Sequence, residues 1–241
     1  MTQAERAQIL RQLDQFRGGL VVSCQARPGN PLRGASTMAM VARAAELGGA
    51  RGVRVDGPAS VAAVLTVTSM PVIATHHVEH ARSRVTITPT LQSARDLLEA
   101  GAGIVAIDAT RRRRPNDERL GDIVAAIHAA GAVAIGDLAS IDDLPHALAA
   151  DIDAVGTTLS GHTGDEPVPD EPDFALLARL VRDSPVPVYA EGRYWTPEQV
   201  TRAFDLGASF VVVGAAITNP MAITSRFAHA VAAWQREGRA P

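Results

Sequence analysis

Short, nearly continuous apolar runs alternate along the chain with segments of helical periodicity. The runs Gly19–Cys24, Gly52–Val55, Val72–Thr75, Ile104–Asp108, Ala132–Asp137, Ala154–Thr158, Val186–Glu191 and Phe210–Gly214 are rich in Val and Ile and lack polar alternation. That is the pattern of strands buried on both faces of a parallel sheet. Between them the spacing predicts helices over Ser36–Leu47, Pro58–Val67, Leu91–Ala100, Leu120–Ala130, Ile141–Ala150, Asp173–Arg182, Pro197–Leu206 and Ala222–Arg236. Ser36 is the expected N-cap of the first, with Met38, Val41, Ala42 and Ala45 on one face. Gly48, Gly101 and Gly207 each follow a helical pattern and lead into a strand, the use of glycine common at helix ends.

Eight strands, each followed by a helix, in 241 residues predict an α/β fold of the (β/α)8 TIM-barrel type. A short amphipathic helix over the first sixteen residues precedes it, and residues 1–241 read as one domain. The alternative is a doubly wound open sheet. Its glycine-rich first turn is missing from Cys24-Gln25-Ala26-Arg27-Pro28-Gly29.

Composition narrows the picture. With 46% hydrophobic residues the chain can fill a core, which excludes intrinsic disorder. No apolar run reaches the length of a membrane span, and the polar start does not read as a signal peptide. One cysteine, Cys24, excludes an intrachain disulfide framework and suits a reducing cytoplasm. A net charge of −3 gives no nucleic-acid footprint. All 23 residues counted as Lys+Arg are arginine, so Schiff-base or general-base chemistry on lysine is excluded.

In a barrel, chemistry collects where strands give way to loops. Those positions are polar in almost every run: Ser23-Cys24-Gln25, Arg54-Val55-Asp56, Thr75-His76-His77, Asp108-Ala109-Thr110, Asp137, Thr157 to Gly161, and Glu191-Gly192-Arg193. Their convergence on one mouth points to a binding site. Asp108, Asp137 and Glu191 are candidate general acids or bases. Arg54 and Arg193 are cations suited to a phosphate or carboxylate. Gly192 and Gly214 fall where barrels often hold phosphate on backbone N–H groups, though glycine serves plain turns equally well. His76 to His80 carries three histidines, but their spacing matches no helical zinc motif, and adjacent residues of an extended segment point to opposite sides. The segment is therefore read as a loop cluster without a metal. Arg111 to Arg114 is read as a solvated loop with one or two functional members.

The chain resembles the N-acetylmannosamine-6-phosphate 2-epimerases, also called N-acylglucosamine-6-phosphate 2-epimerases. The resemblance rests on Val22-Ser23-Cys24-Gln25-Ala26, Gly48-Gly49-Ala50 through Arg54, Ile87-Thr88-Pro89-Thr90 and Asp108-Ala109-Thr110. It continues through Thr157 to Gly161, Ala190-Glu191-Gly192-Arg193 and Val213 to Thr218, spanning Gly18 to Phe227. It implies the same barrel and an isomerase without cofactor, active in amino-sugar and sialic acid breakdown. The reaction it implies inverts C2 of the open-chain sugar phosphate through an enolate-like intermediate. Glu191 matches the family's catalytic glutamate. Gln25, Arg54 and Asp137 match substrate-binding residues, with Gly192 and Gly214 cradling phosphate; Ser160 and Arg193 are further substrate-binding candidates, and Ala215 and Asn219 further candidates on the phosphate side.

Two positions depart from the family pattern. His77 stands where the family has its catalytic lysine, and Asn219 where it tends to have an arginine. Three readings follow: His77 replaces lysine as acid/base, the pocket takes a different or unphosphorylated sugar, or the barrel binds a sugar phosphate without turnover. Retention of Glu191 favours the first, and imidazole titrates near neutral pH. The face of Ala222–Trp234 suits either a second copy in a homodimer or the chain's own barrel.

Overall fold

The structure, a computed structural model, describes residues 11–164 and 168–236. The predicted N-terminal helix lies largely outside the described residues; from Arg11 the chain is helical to Asp14. Eight strands follow, β1 (Gly19–Cys24), β2 (Gly52–Asp56), β3 (Val72–Thr75), β4 (Ile104–Asp108), β5 (Val133–Asp137), β6 (Ala154–Gly156), β7 (Val188–Glu191) and β8 (Phe210–Val213). They pair in parallel in sequence order, and β8 closes on β1. This is a closed (β/α)8 barrel.

Period-two alternation sorts each strand's apolar residues into two layers. On β4 and β5, Ile104, Ala106, Val133 and Ile135 join the interior cluster, whereas Val105, Ile107 and Ala134 join the larger cluster that includes the helices. Phe16 enters the interior cluster from the N-terminal segment and meets Phe210 with ring centroids 5.1 Å apart. Tyr189 stacks on the same Phe210 at 5.1 Å. These rings make a continuous aromatic column inside the barrel.

The outer helices are α1 (Ala35–Leu47), α2 (Pro58–Leu65), α3 (Leu91–Glu99), α4 (Leu120–Ala129), α5 (Leu144–Ala149), α6 (Phe174–Asp183) and α7 (Pro197–Asp205). After β8 come a single turn, α8 (Ala215–Thr218), and the long α9 (Pro220–Arg236). Ser36 does not cap α1. The N-cap is Gly34, without a side-chain hydrogen bond, because the helix begins one residue earlier than the serine signal. The helix predicted over Ile141–Ala150 is a 3-10 turn, Ile141–Asp143, running into α5. No residue of α9 is buried, in contrast to the seven helices that cover the strands.

Candidate active site

A cavity of about 770 Å³ opens at the carboxyl end of the barrel. Arg54 projects into it from β2, Glu191 from β7, and His77 from the loop after β3. In an eight-stranded ring β3 and β7 are four strands apart, so His77 and Glu191 come from opposite sides of the mouth.

Arg54 is the organising cation, and its side chain is 1% exposed. It forks onto Asp137, Nη1 donating to Oδ1 at 3.0 Å and Nη2 to Oδ2 at 2.7 Å. Nη1 also donates to Oε2 of Glu191 at 2.6 Å. From below, Tyr189 donates its phenol proton to Oδ1 of Asp137 at 2.7 Å. The Thr158 hydroxyl lies between the two acids, 3.1 Å from Oε2 of Glu191 and hydrogen-bonded to Asp137.

One buried cation faces two carboxylates, and the geometry decides which acid it neutralises. Burial works to raise Asp137, but the bidentate guanidinium and the hydroxyl donors outweigh it and hold Asp137 below the usual carboxylate range. Glu191 receives a single guanidinium hydrogen bond. Its burial, reinforced by the charge of Asp137, outweighs Arg54 and raises the carboxyl to about 7. Glu191 thus exchanges a proton in the neutral range, as a general acid/base must.

His77 lies on a small arch whose residues make isolated antiparallel bridges, His77 with Ile87 and His80 with Ser83. Its Nδ1 lies 3.0 Å from Oδ1 of Asp56, and its backbone N–H donates to the same oxygen at 2.8 Å. The positive charge available to His77 acts to lower the pKa of Glu191 across the cavity. Among the described residues no group of three or more His, Cys, Asp or Glu is arranged to hold a metal ion.

The other candidates divide. Gln25, Gly192, Arg193, Gly214 and Ala215 line the cavity. Asp137 is fully buried and reaches the cavity through Arg54. Two terminal nitrogens of Arg54 are already taken by carboxylates, so Arg54 is no open phosphate fork. Ser160 is absent from the lining, because its hydroxyl donates to Asp173 at the start of α6 at 2.6 Å. Asn219 is absent too: its Oδ1 accepts from the Ala222 backbone in the first turn of α9 and from Asn30 in the β1 loop. Asp108 is buried among Thr110 and Arg112 and does not line the cavity.

The arginine run is solvated in part: Arg111 and Arg113 are exposed, whereas Arg112 and Arg114 turn inward. Arg114 is buried and donates to the carbonyls of Thr88, Pro89 and Asp108, fastening the loop before α3. Cys24 is buried, which pushes its thiol up to about 12 and leaves it inert as a nucleophile.

Tyr189 and the cavity-lining Arg33 were not among the candidates, and Asp56 and Thr158 were noted only as polar strand ends without a role. Two carried a usable signal. Tyr189 is two residues before Glu191 and Asp56 two after Arg54, which puts each on the same face of its strand as a known candidate.

A closed barrel whose mouth joins a neutral-range carboxylate, a buried arginine and a carboxylate-paired histidine is that of a barrel enzyme built for proton transfer. A family model described as "Putative N-acetylmannosamine-6-phosphate epimerase" matches residues 38–233, and the chain belongs to that family. A Cutibacterium acnes protein named "Putative N-acetylmannosamine-6-phosphate 2-epimerase" is 45% identical over 224 residues, covering 92% of this chain and 97% of that one. The solved structure of the N-acetylmannosamine-6-phosphate 2-epimerase from Clostridium perfringens superposes with a TM-score of 0.88 at 40% identity, over 90% of this chain and 95% of that one. FabK from Thermotoga maritima, at 17% identity and a TM-score of 0.62, shares the fold alone.

Proposed function

We propose that the protein epimerises C2 of N-acetylmannosamine 6-phosphate to give N-acetylglucosamine 6-phosphate, with His77 and Glu191 as the proton-transfer groups. The observation that carries this is their placement on opposite sides of one cavity, Glu191 with a carboxyl raised to about 7. Inverting a carbon requires a proton to leave one face and another to arrive on the other. In the open-chain sugar the carbonyl next to C2 acidifies that proton, so the electron pair of the C–H bond passes into an enolate-like intermediate without a redox step. Arg54 orders the acids, while Gln25 and Arg193 bind the sugar. The backbone at Gly192, Gly214 and Ala215 receives the phosphate, where missing Cβ atoms at the two glycines let the ligand approach closely.

The readings in which the pocket takes another sugar, or binds without turnover, gain no support from the Cutibacterium acnes and Clostridium perfringens relatives, which are named for one reaction. Incubation with N-acetylmannosamine 6-phosphate in heavy water tests the proposal. Deuterium at C2 is the expected result, with none above background in Glu191→Ala. Absence of exchange in the wild-type protein would refute it.

We further propose a homodimer working in the cytoplasm, where a charged sugar phosphate is retained by the membrane. Helix α9 buries none of its residues, and Phe227, Val231 and Trp234 form an exposed apolar stripe at i, i+4, i+7 spacing. A second copy covers this stripe in the proposed assembly. Sedimentation is expected to give a dimer, and Phe227→Glu with Trp234→Glu a monomer. No helix among the described residues is long and apolar enough to cross a membrane.

A further inference from the structure

A histidine that moves protons sets the site a requirement of its own. An imidazole has two inequivalent nitrogens, and in its neutral form only one can accept a proton. A histidine acting as a base therefore needs something to fix which nitrogen is free.

Asp56 is built for that task. One of its oxygens, Oδ1, meets the Nδ1 of His77 at 3.0 Å, the backbone N–H of His77 at 2.8 Å and the hydroxyl of Thr75 at 3.3 Å. Asp56 registers with Thr75 across the β2–β3 pair, so the strand ladder itself sets Asp56 beside the start of the histidine loop. Its hold on both backbone and ring fixes the position of His77 and the way the imidazole is turned.

We propose that Asp56 is a positioning residue that holds His77 protonated on Nδ1, leaving the lone pair of Nε2 to take the C2 proton. The inference rests on the assignment of His77 as a proton-transfer group. A carboxylate offers lone pairs only, so the ring nitrogen facing it must carry the hydrogen. Asp56 is ionised: burial works to raise its carboxyl, but the hydrogen bonds from the ring and backbone of His77 outweigh it and hold it below the usual range. In the step itself the C2–H electron pair stays with the sugar as the enolate, and the proton goes to Nε2. The imidazolium so formed has Asp56 behind it and Glu191 across the cavity. Arg54 from β2 and Glu79 and Arg84 from the histidine loop face the same space. His76 turns elsewhere, its Nδ1 3.7 Å from Asp96.

Two measurements on three variants test this. Long-range 15N NMR of histidine-labelled protein reads the tautomer of His77, and steady-state assays on N-acetylmannosamine 6-phosphate separate kcat from KM. The wild-type ring is expected as the Nδ1–H tautomer. Asp56→Ala is expected to shift it to Nε2–H and to lower kcat about 10²-fold, with KM within about threefold. Asp56→Asn keeps an acceptor at Oδ1, so it should retain the Nδ1–H tautomer and lose only the charge, at a cost of about 10-fold in kcat. Wild-type kcat in Asp56→Ala, with His77→Gln inactive, would overturn the role of Asp56 alone. Full turnover in His77→Gln would overturn the assignment beneath it and this inference together. Should Asp56→Ala fail to fold, the wild-type spectrum still decides, since an Nε2–H ring there contradicts the proposal.

Discussion

The phenol of Tyr189 donates to Asp137 at 2.7 Å while the face of its ring stacks on Phe210 at 5.1 Å. The barrel's aromatic column thus ends in a hydrogen bond to the acid that grips Arg54. Packing at the bottom of the barrel and charge at its mouth are joined through one side chain, and a disturbance of the column should reach the site.

Gly156 provides the sharpest way to disturb it. A Cβ there would lie 2.1 Å from Cε2 of Tyr189, so Gly156→Ala must displace the ring. The substitution is expected to cost about 1–3 kcal/mol of stability by overpacking and to lower epimerase activity with it. Urea denaturation and turnover check both. Gly121→Ala, where a Cβ meets nothing within 4 Å, is the matched control and should leave activity unchanged.

Arg54 should be costlier to remove than a surface arginine. Arg54→Met leaves Asp137 buried without its cation, a loss on the order of 3–5 kcal/mol for a broken buried pair. Replacing Asp137 by Leu in the same chain removes the stranded charge and is expected to restore part of that stability, though not activity. A double-mutant cycle in urea reads the coupling.

Glu191 makes stability depend on pH with a definite sign. Its carboxyl is raised from 4.5 to about 7 in the folded protein, so between those values the folded state binds more protons than the unfolded one. Its contribution therefore weakens the fold as pH rises through that window. Glu191→Gln, which cannot ionise, is expected to be more stable than wild type at pH 8, by on the order of 3 kcal/mol. The difference should shrink as pH falls toward 4.5. Thermal melts at pH 5 and pH 8 measure it, and a larger gap at pH 5 would contradict the raised carboxyl.

His77 can be tested by replacing its imidazole with a methyl group and with an amine. His77→Ala is expected to lose C2 proton exchange by about 10²-fold or more. His77→Lys should recover part of it, since the neutral amine of a lysine offers one lone pair to the same cavity without need of a tautomer. Exchange in heavy water measures both, and unchanged exchange in His77→Ala would remove the imidazole from the chemistry.

The strands and helices were legible because each rests on local chemistry. Val133, Ile135 and their neighbours on β5 must be buried on both faces wherever the strand lies, and the same holds for Ile104 to Ile107 on β4. Glu191, Arg54 and His77 were legible as polar ends of apolar runs. Ser160 and Asn219 stand off the cavity for one reason: each is polar and comes after a strand, yet each spends its hydrogen bonds on the backbone or cap of a nearby helix. A sequence shows that a residue is polar, but its partner depends on where the chain turns next.

The sequence by itself determined the order of eight strands, the barrel they form and the acidic and basic side chains at its mouth, because hydrophobic periodicity and strand ends are properties of neighbouring residues. Only the tertiary structure decided which carboxylate Arg54 neutralises and which is left to titrate. Arg54 is 83 residues from Asp137 and 137 from Glu191. Barrel closure alone sets the distances that give one acid two hydrogen bonds from the guanidinium and the other a single one. In the same way Asp56 meets His77 only because β2 and β3 are in register, and that register is what selects the nitrogen an imidazole leaves free.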